Sequence, residues 1–378
     1  MKAKALLLLT LLALAAARAR AQPALEGKIR AADIRTPAFT EAGPARAFLS
    51  EVQQPGARFL RLHFTEIADQ SAADYSVTVN DGASREVLRY SKAEFGGRGD
   101  FWSGIVPGDR AQVAVIWPGR APALGFRIDA IGHQAPAGQA LSVSGNDDRE
   151  EIVRYHGDPC IWAASRAVAK LSYVKPDGPY SCTGFLVSED LLLTNDHCVN
   201  TAALCATTLA IFGNERSGDG ALEPGEQFHC RDVVKQDQGL DFALLRIDGR
   251  PGRRWGYLRL ANRDVGTEPL YVVGHPGGRP KQISKRECAV STPVAPGMAR
   301  TPVDFGHVCD TETGNSGSPV LDASHRVVGL HHLGFGEPPP FTQQNRAVLM
   351  KHILPALGEL FPPAPIAFPP AHEEEAGR

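Results

Sequence analysis

Two stretches decide how this chain is read: Thr194-Asn195-Asp196-His197-Cys198 and Gly314-Asn315-Ser316-Gly317-Ser318-Pro319. The first follows the apolar run Leu191-Leu192-Leu193, which reads as a buried strand delivering a histidine at its end. The second places a serine in a loop flanked by glycines. Between them Asp241-Phe242-Ala243-Leu244-Leu245 puts an acid at the start of another apolar strand. The order is His, Asp, Ser, with gaps of 44 and 75 residues, and these are the parts of an acyl-transfer triad. A serine hydroxyl is a poor nucleophile until a neutral imidazole takes its proton, and the imidazole needs a carboxylate to fix its tautomer. Gly314 can adopt φ > 0, which lets the amides of Gly314 and Ser316 point together at a developing oxyanion. Each such donor is worth on the order of 3 kcal/mol to the transition state. Asp237 is the runner-up acid, but no apolar strand follows it directly.

Together the three segments resemble the trypsin-like (chymotrypsin-fold) serine proteases, in the bacterial branch of the glutamyl and lysyl endopeptidases. That family joins two six-stranded β-barrels at the triad. The resemblance spans roughly residues 155 to 360. It implies that His197 is the general base, Asp241 its orienter and Ser316 the nucleophile. It also implies disulfides Cys182–Cys198, tying the histidine loop to its barrel, and Cys288–Cys309, bracing the nucleophile loop. Cys160–Cys230 would be the third by likeness to lysyl endopeptidases, leaving Cys205 over, with Cys205–Cys230 as the competing pairing. Digestive members carry an Asp before the nucleophile that pairs with a new amino terminus. Asn315 stands there in this chain, so no activation switch of that kind is expected.

The specificity pocket in this family draws on residues five and six before the nucleophile and on a strand about fifteen after it, here Thr311, Asp310 and His331. Asp310 alone would favour Lys or Arg substrates, as in trypsins. Thr311 with His331 resembles the glutamyl endopeptidases, whose hydroxyl and imidazole bind a substrate carboxylate. Two matching positions outweigh one, so cleavage after Glu is the expectation and a basic-residue protease the alternative.

Further strands of the second half read at Phe185 to Val187, Ala243 to Ile247, Val272 to Val273 and Val327 to Leu330. A closing helix is expected with Asn345 as cap, Val348, Leu349 and Ile353 on one face, and Pro355 limiting it. His331 and His332 are adjacent on a strand, so their side chains point to opposite faces and cannot chelate one ion. No metal or other cofactor is expected.

Upstream the pattern is period two. Leu60, Leu62 and Phe64 alternate; Tyr75, Val77 and Val79 lead into the turn Asn80-Asp81-Gly82; Val113, Val115, Trp117 and Phe126, Ile128, Ala130 follow. This predicts a small antiparallel β-sandwich with no chemistry of its own, either a pro-segment or a chaperone and targeting module. The expected division is a signal peptide at 1–21, a loosely packed linker at 22–57, the sandwich at 58–145, the protease domain at 146–361, and a Pro-rich acidic tail at 362–378. The fold class is thus all-β, a double β-barrel with a C-terminal helix behind a sandwich.

Lys2 and Lys4, an almost wholly apolar run from Ala5 to Ala17, and Ala19-Arg20-Ala21 make the signal-peptide reading. The run is shorter than the about 20 residues a bilayer span needs. Export suits the seven cysteines, all after residue 150 and none in a CxxC pair. Of the 378 residues 43% are hydrophobic, and 40 Lys+Arg stand against 42 Asp+Glu with no basic block. Nucleic acid as a partner and stable membrane insertion are excluded on that composition. The function expected is a secreted serine endopeptidase, extracellular or periplasmic, acting on polypeptides; the rival is an inactive, protease-fold binding protein.

Overall fold

Alternation builds the first half. Leu60, Leu62 and Phe64 lie on the inner face of the strand Phe59–Asp69, with Val77 and Val79 on Ser76–Asp81, Val113 and Val115 on Arg110–Ile116, and Phe126 and Ile128 on Leu124–Gln134. All are buried because successive side chains of a strand face opposite ways. The computed structural model describes residues 23–39, 46–134, 141–143, 146–299, 301–335 and 344–358, so the signal-peptide segment and the 362–378 tail lie outside it. Two sheets face each other. One orders Gly27–Arg35, Leu124–Gln134, Phe59–Asp69 and Phe101–Trp102, with Val106–Pro107 beside the third; the other orders Arg46–Gln53, Arg110–Ile116, Ser76–Asp81 and Glu86–Ser91. Phe64 centres the core, in ring contact with Tyr90, Phe95, Phe101 and Phe126. The expected turn is there: the Asp81 carboxylate accepts from the amides of Ala83 and Arg85.

The segment 22–57 is not the linker its composition suggests. It supplies Gly27–Arg35 and Arg46–Gln53, one strand to each sandwich sheet. Gly27–Arg35 has a mostly exposed face and little apolar content, which hides it from a periodicity reading.

The second half begins with a closed six-stranded barrel: Gly178–Leu186, Val168–Lys175, Leu209–Phe212, Glu226–Asp237, Phe242–Ile247 and Leu191–Thr194, the last pairing back to the first. One edge of Gly178–Leu186 is shared. Phe185 and Leu186 pair with Leu193 and Leu192, whereas Ser181 and Tyr180 pair with Ala24 and Leu25 from the start of the chain. The segment before the sandwich therefore belongs to the barrel. The second sheet runs Glu150–Glu151, Gln282–Ser284, Tyr271–Gly274, Pro319–Leu321, Arg326–Leu333, Asn345–Leu349, Asp304–His307 and Val290–Ala295, with Arg259–Leu260 parallel to Arg326–Leu333. Asn345 is not a helix cap. Asn345–Leu349 is a strand held between Asp304–His307 and Arg326–Leu333, and the helix runs Met350–Leu357 with Pro355 inside it. Pairing on both edges overrides the apparent helical spacing of Val348, Leu349 and Ile353.

The disulfides are Cys182–Cys198, Cys205–Cys230 and Cys288–Cys309. The Cys160–Cys230 pairing is thereby corrected. Cys160 sits exposed on the helix Pro159–Arg166 as a free thiol, while the short helix Ala202–Thr207 carries Cys205 against the strand of Cys230.

Candidate active site

Each candidate side chain sits where a strand ends. Leu191–Thr194 delivers the turn Asn195-Asp196-His197, closed by the Cys198 amide donating to the Asn195 carbonyl at 3.2 Å. Asp241 opens Phe242–Ile247 in a left-handed conformation, φ 46°, and the Asn195 side chain donates to its carbonyl at 2.8 Å. The two loops are thus tied together. The Asp241 carboxylate accepts from the backbone amide of His197 at 3.1 Å and from its Nδ1 at 2.9 Å. Asp237 has another task, accepting from the amides of Gly239 and Leu240.

A third donor to Asp241 is absent from the sequence reading. His332 Nδ1 lies 3.1 Å from Asp241 Oδ2, and its Nε2 lies 2.8 Å from Asp304 Oδ2. With a carboxylate at each nitrogen, both nitrogens donate and the ring is an imidazolium. Burial alone would lower its pKa, but Asp304 and Asp241 outweigh burial and raise it to about 9. Burial pushes Asp241 the other way, upward. His197 and His332 overcome that and hold it well below the usual carboxylate range. Adjacent residues on a strand face opposite sides, so His332 turns toward Asp241 while His331 meets His307 of the same sheet.

Ser316 lies in a loop that two glycines shape. Gly314 has φ 96° and Gly317 φ 87°. A Cβ at Gly317 would come within 2.0 Å of the Thr183 carbonyl oxygen, and one at Gly314 within 2.7 Å of that of His275. Thr183 stitches the loop to the first barrel: its amide donates to the Ser316 carbonyl at 2.8 Å and its hydroxyl to the Gly314 carbonyl at 2.9 Å. Among the described residues the amides of Gly314 and Ser316 have no acceptor, and the buried Nε2 of His197 has no partner. Those two amides and that ring nitrogen are therefore open to a partner.

The pocket candidates separate. The Asp310 carboxylate accepts from the Asp148 amide at 2.9 Å, and the Asp310 amide donates to the Ser284 hydroxyl at 2.9 Å. This directs the acid to the segment joining the two halves. Burial, then Asp310, pushes the Asp148 carboxyl up to about 7. Thr311 Oγ1 is buried without a hydrogen-bond partner among the described residues. His331 Nδ1 meets His307 Nε2 at 3.2 Å, and burial holds both imidazoles in the neutral form. Cys182, His197 and Cys198 cluster within 4.8 Å, but both sulfurs are spent in their disulfide, so the group is not a metal site.

Residues 182–330 match the family described as trypsin-like peptidase domain. Over these residues the chain carries a trypsin-like peptidase domain, and the barrel and sheet around it have the architecture of a chymotrypsin-fold serine protease. The chain is 32% identical over 227 residues to secreted RxLR effector protein 73 of Plasmopara viticola, covering 56% of each protein. It is 27% identical over 170 residues to a glutamyl endopeptidase of Staphylococcus epidermidis, covering 43% of this chain and 57% of that one. The chain thus spans little more than half the length of these two relatives. A solved Glu endopeptidase structure superimposes with a TM-score of 0.42 at 22% identity, over 57% of this chain and 96% of that one.

Proposed function

We propose that the protein is a secreted serine endopeptidase with His197, Asp241 and Ser316 as its triad. The observation that carries this reading is the imidazole of His197, fixed at Nδ1 and at its backbone amide by one buried carboxylate and unpartnered at Nε2, beside the glycine-shaped loop of Ser316. Ser316 Oγ attacks the scissile carbonyl carbon as its proton passes to His197 Nε2, and the oxyanion takes the amides of Gly314 and Ser316. Collapse breaks the C–N bond while Nε2 returns the proton to the leaving amine. Water then repeats the sequence on the acyl-enzyme and frees Ser316. Asp241 stays ionised throughout and stabilises the imidazolium.

Glu is the preferred residue before the cut. The neutral His331 and the orphaned Thr311 hydroxyl support this, both donors suited to a carboxylate, as does the diversion of Asp310 toward Asp148. The three disulfides suit an oxidising compartment, and among the described residues no helix is long and apolar enough to cross a membrane. The test is labelling of the folded protein by a fluorophosphonate, followed by cleavage profiling on a peptide library. Labelling at Ser316 and cleavage after Glu are expected. Absence of label where a control protease reacts would leave the inactive binding protein, a reading the effector relative favours. Cleavage after Lys or Arg would overturn the pocket assignment.

A further inference from the structure

The N-terminal strand carries a buried ion pair that the triad does not explain. Glu26 follows Ala24–Leu25, and its amide continues that ladder by donating to the Pro179 carbonyl at 2.8 Å. Its side chain is fully enclosed, with Oε1 2.5 Å from the Nζ of Lys170, which is itself buried on the strand Val168–Lys175. Arg61 of the sandwich faces the same carboxylate while its Nε donates to the Ser103 carbonyl. Lys170 Nζ also donates to the Gly278 carbonyl at 2.7 Å. Gly278 leaves Glu26 room that no other residue would, since a Cβ there would lie 2.0 Å from Oε1. Gly277 and Gly278 both hold left-handed conformations in the turn between His275 and Arg279. From that turn the Gly277 amide donates to the Thr313 carbonyl at 2.6 Å, one residue before Gly314.

We propose that Glu26 is a positioning residue for the oxyanion loop: through Lys170 and the 275–279 turn, the segment 24–26 holds the peptide before Gly314 and so aims the two oxyanion amides. The inference rests on reading Gly314 and Ser316 as the oxyanion donors. Its physical basis is that an ammonium buried without its carboxylate must move or take up water, and either releases the Gly278 carbonyl. The N-terminal segment then acts as a retained part of the enzyme, and removing it inactivates rather than activates.

The test uses the full chain with Glu26→Ala, Glu26→Gln and Lys170→Met. Three readouts are compared: kcat and KM on one substrate, affinity for a peptide boronate whose adduct occupies the oxyanion hole, and hydrogen exchange of residues 312–317. Glu26→Ala is expected to lower kcat and boronate affinity by the same factor, about 10- to 100-fold, with KM nearly unchanged and exchange accelerated in 312–317. Glu26→Gln keeps an acceptor of the same shape and should lose about threefold. Should Glu26→Ala not fold, Glu26→Gln and Lys170→Met carry the comparison. A folded variant with wild-type kcat, boronate affinity and local exchange overturns the proposal, as does loosening spread evenly over the whole protein. A wild-type protein that takes no fluorophosphonate would end the protease reading, and the exchange comparison would then judge the brace alone.

Discussion

The sandwich and the protease half are both antiparallel sheets closed over apolar cores, but they bury different polar groups. Among the described residues of the sandwich the one fully buried long cation is Arg61, at the face turned to the barrel; no histidine there is buried, and the aromatic and aliphatic core shares its interior with Thr65, Thr78, Asn80, Asp81 and Ser103. In the protease half the buried set includes His275, His307, His331, His332, Asp241 and Asp304. Burying an ionisable group costs several kcal/mol unless partners offset it, so a fold gains nothing from collecting imidazoles. Where they accumulate, chemistry is the better explanation.

Two substitutions test that contrast hardest. Ser316→Ala should remove activity by on the order of 10^6-fold while leaving the melting temperature near wild type, since only a hydroxyl in a loop is lost. Phe64→Ala should do the reverse. It deletes the ring at the centre of the aromatic cluster and should cost about 3–5 kcal/mol, with little change in kcat of the molecules still folded. Denaturant titration and active-site titration on the same preparations separate the two. A large stability loss in Ser316→Ala would dissolve the contrast.

The proposed triad is legible in sequence because each candidate lies in a short segment with its own signature: an apolar strand before His197, another after Asp241, glycines about Ser316. The sandwich strands were legible from alternation alone. His332 was visible only as a neighbour of His331, because its two carboxylates come from strands 91 and 28 residues away, and no local pattern reports such a meeting. Ala24–Leu25 was hidden for the same reason, as a two-residue strand whose partner lies beyond the whole sandwich. The direction of the Asp310 carboxylate depends on Asp148 in the connecting segment, 162 residues away, which no local pattern reports.

Smaller effects sharpen the comparison. Cys205→Ser opens the Cys205–Cys230 bridge, a 25-residue separation, and should cost about 3 kcal/mol on the chain-entropy account. No bridge crosses the sandwich, so reducing agent should lower protease-half stability first, read by probes placed in each half. His332 adds a pH window. Its pKa rises from 6.5 to about 9 on folding, so its contribution is complete below about pH 6.5 and is lost as pH climbs through about 9. The slope there should approach 1.4 kcal/mol per pH unit. Asp241, Asp304, His307 and His331 face this group, with Arg346 4.0 Å from Asp304, yet His307 and His331 titrate far lower and Asp241 more acidic still. Asp148, raised from 3.8 to about 7, contributes fully below about pH 3.8 and loses that contribution as pH rises through about 7. His332→Gln should flatten the alkaline slope, and an unchanged slope would assign it to another group.

The smallest effect is the most discriminating for the cysteines. Cys160→Ser should leave stability within about 0.5 kcal/mol of wild type, because the thiol is exposed on a helix surface and bonded to nothing. The competing Cys160–Cys230 pairing predicts a loss close to that of Cys205→Ser, since either would then open a bridge ending at Cys230. Measuring both variants under identical oxidising conditions turns a pairing question into a difference of about 3 kcal/mol against almost none. Equal losses in the two variants would mean that Cys230 exchanges partners. A loss confined to Cys160→Ser would restore the lysyl-endopeptidase pairing and leave Cys205 as the free thiol. A loss confined to Cys205→Ser confirms that the bridge anchors the short helix Ala202–Thr207 to the barrel strand Glu226–Asp237, a covalent tie of a kind the sandwich lacks.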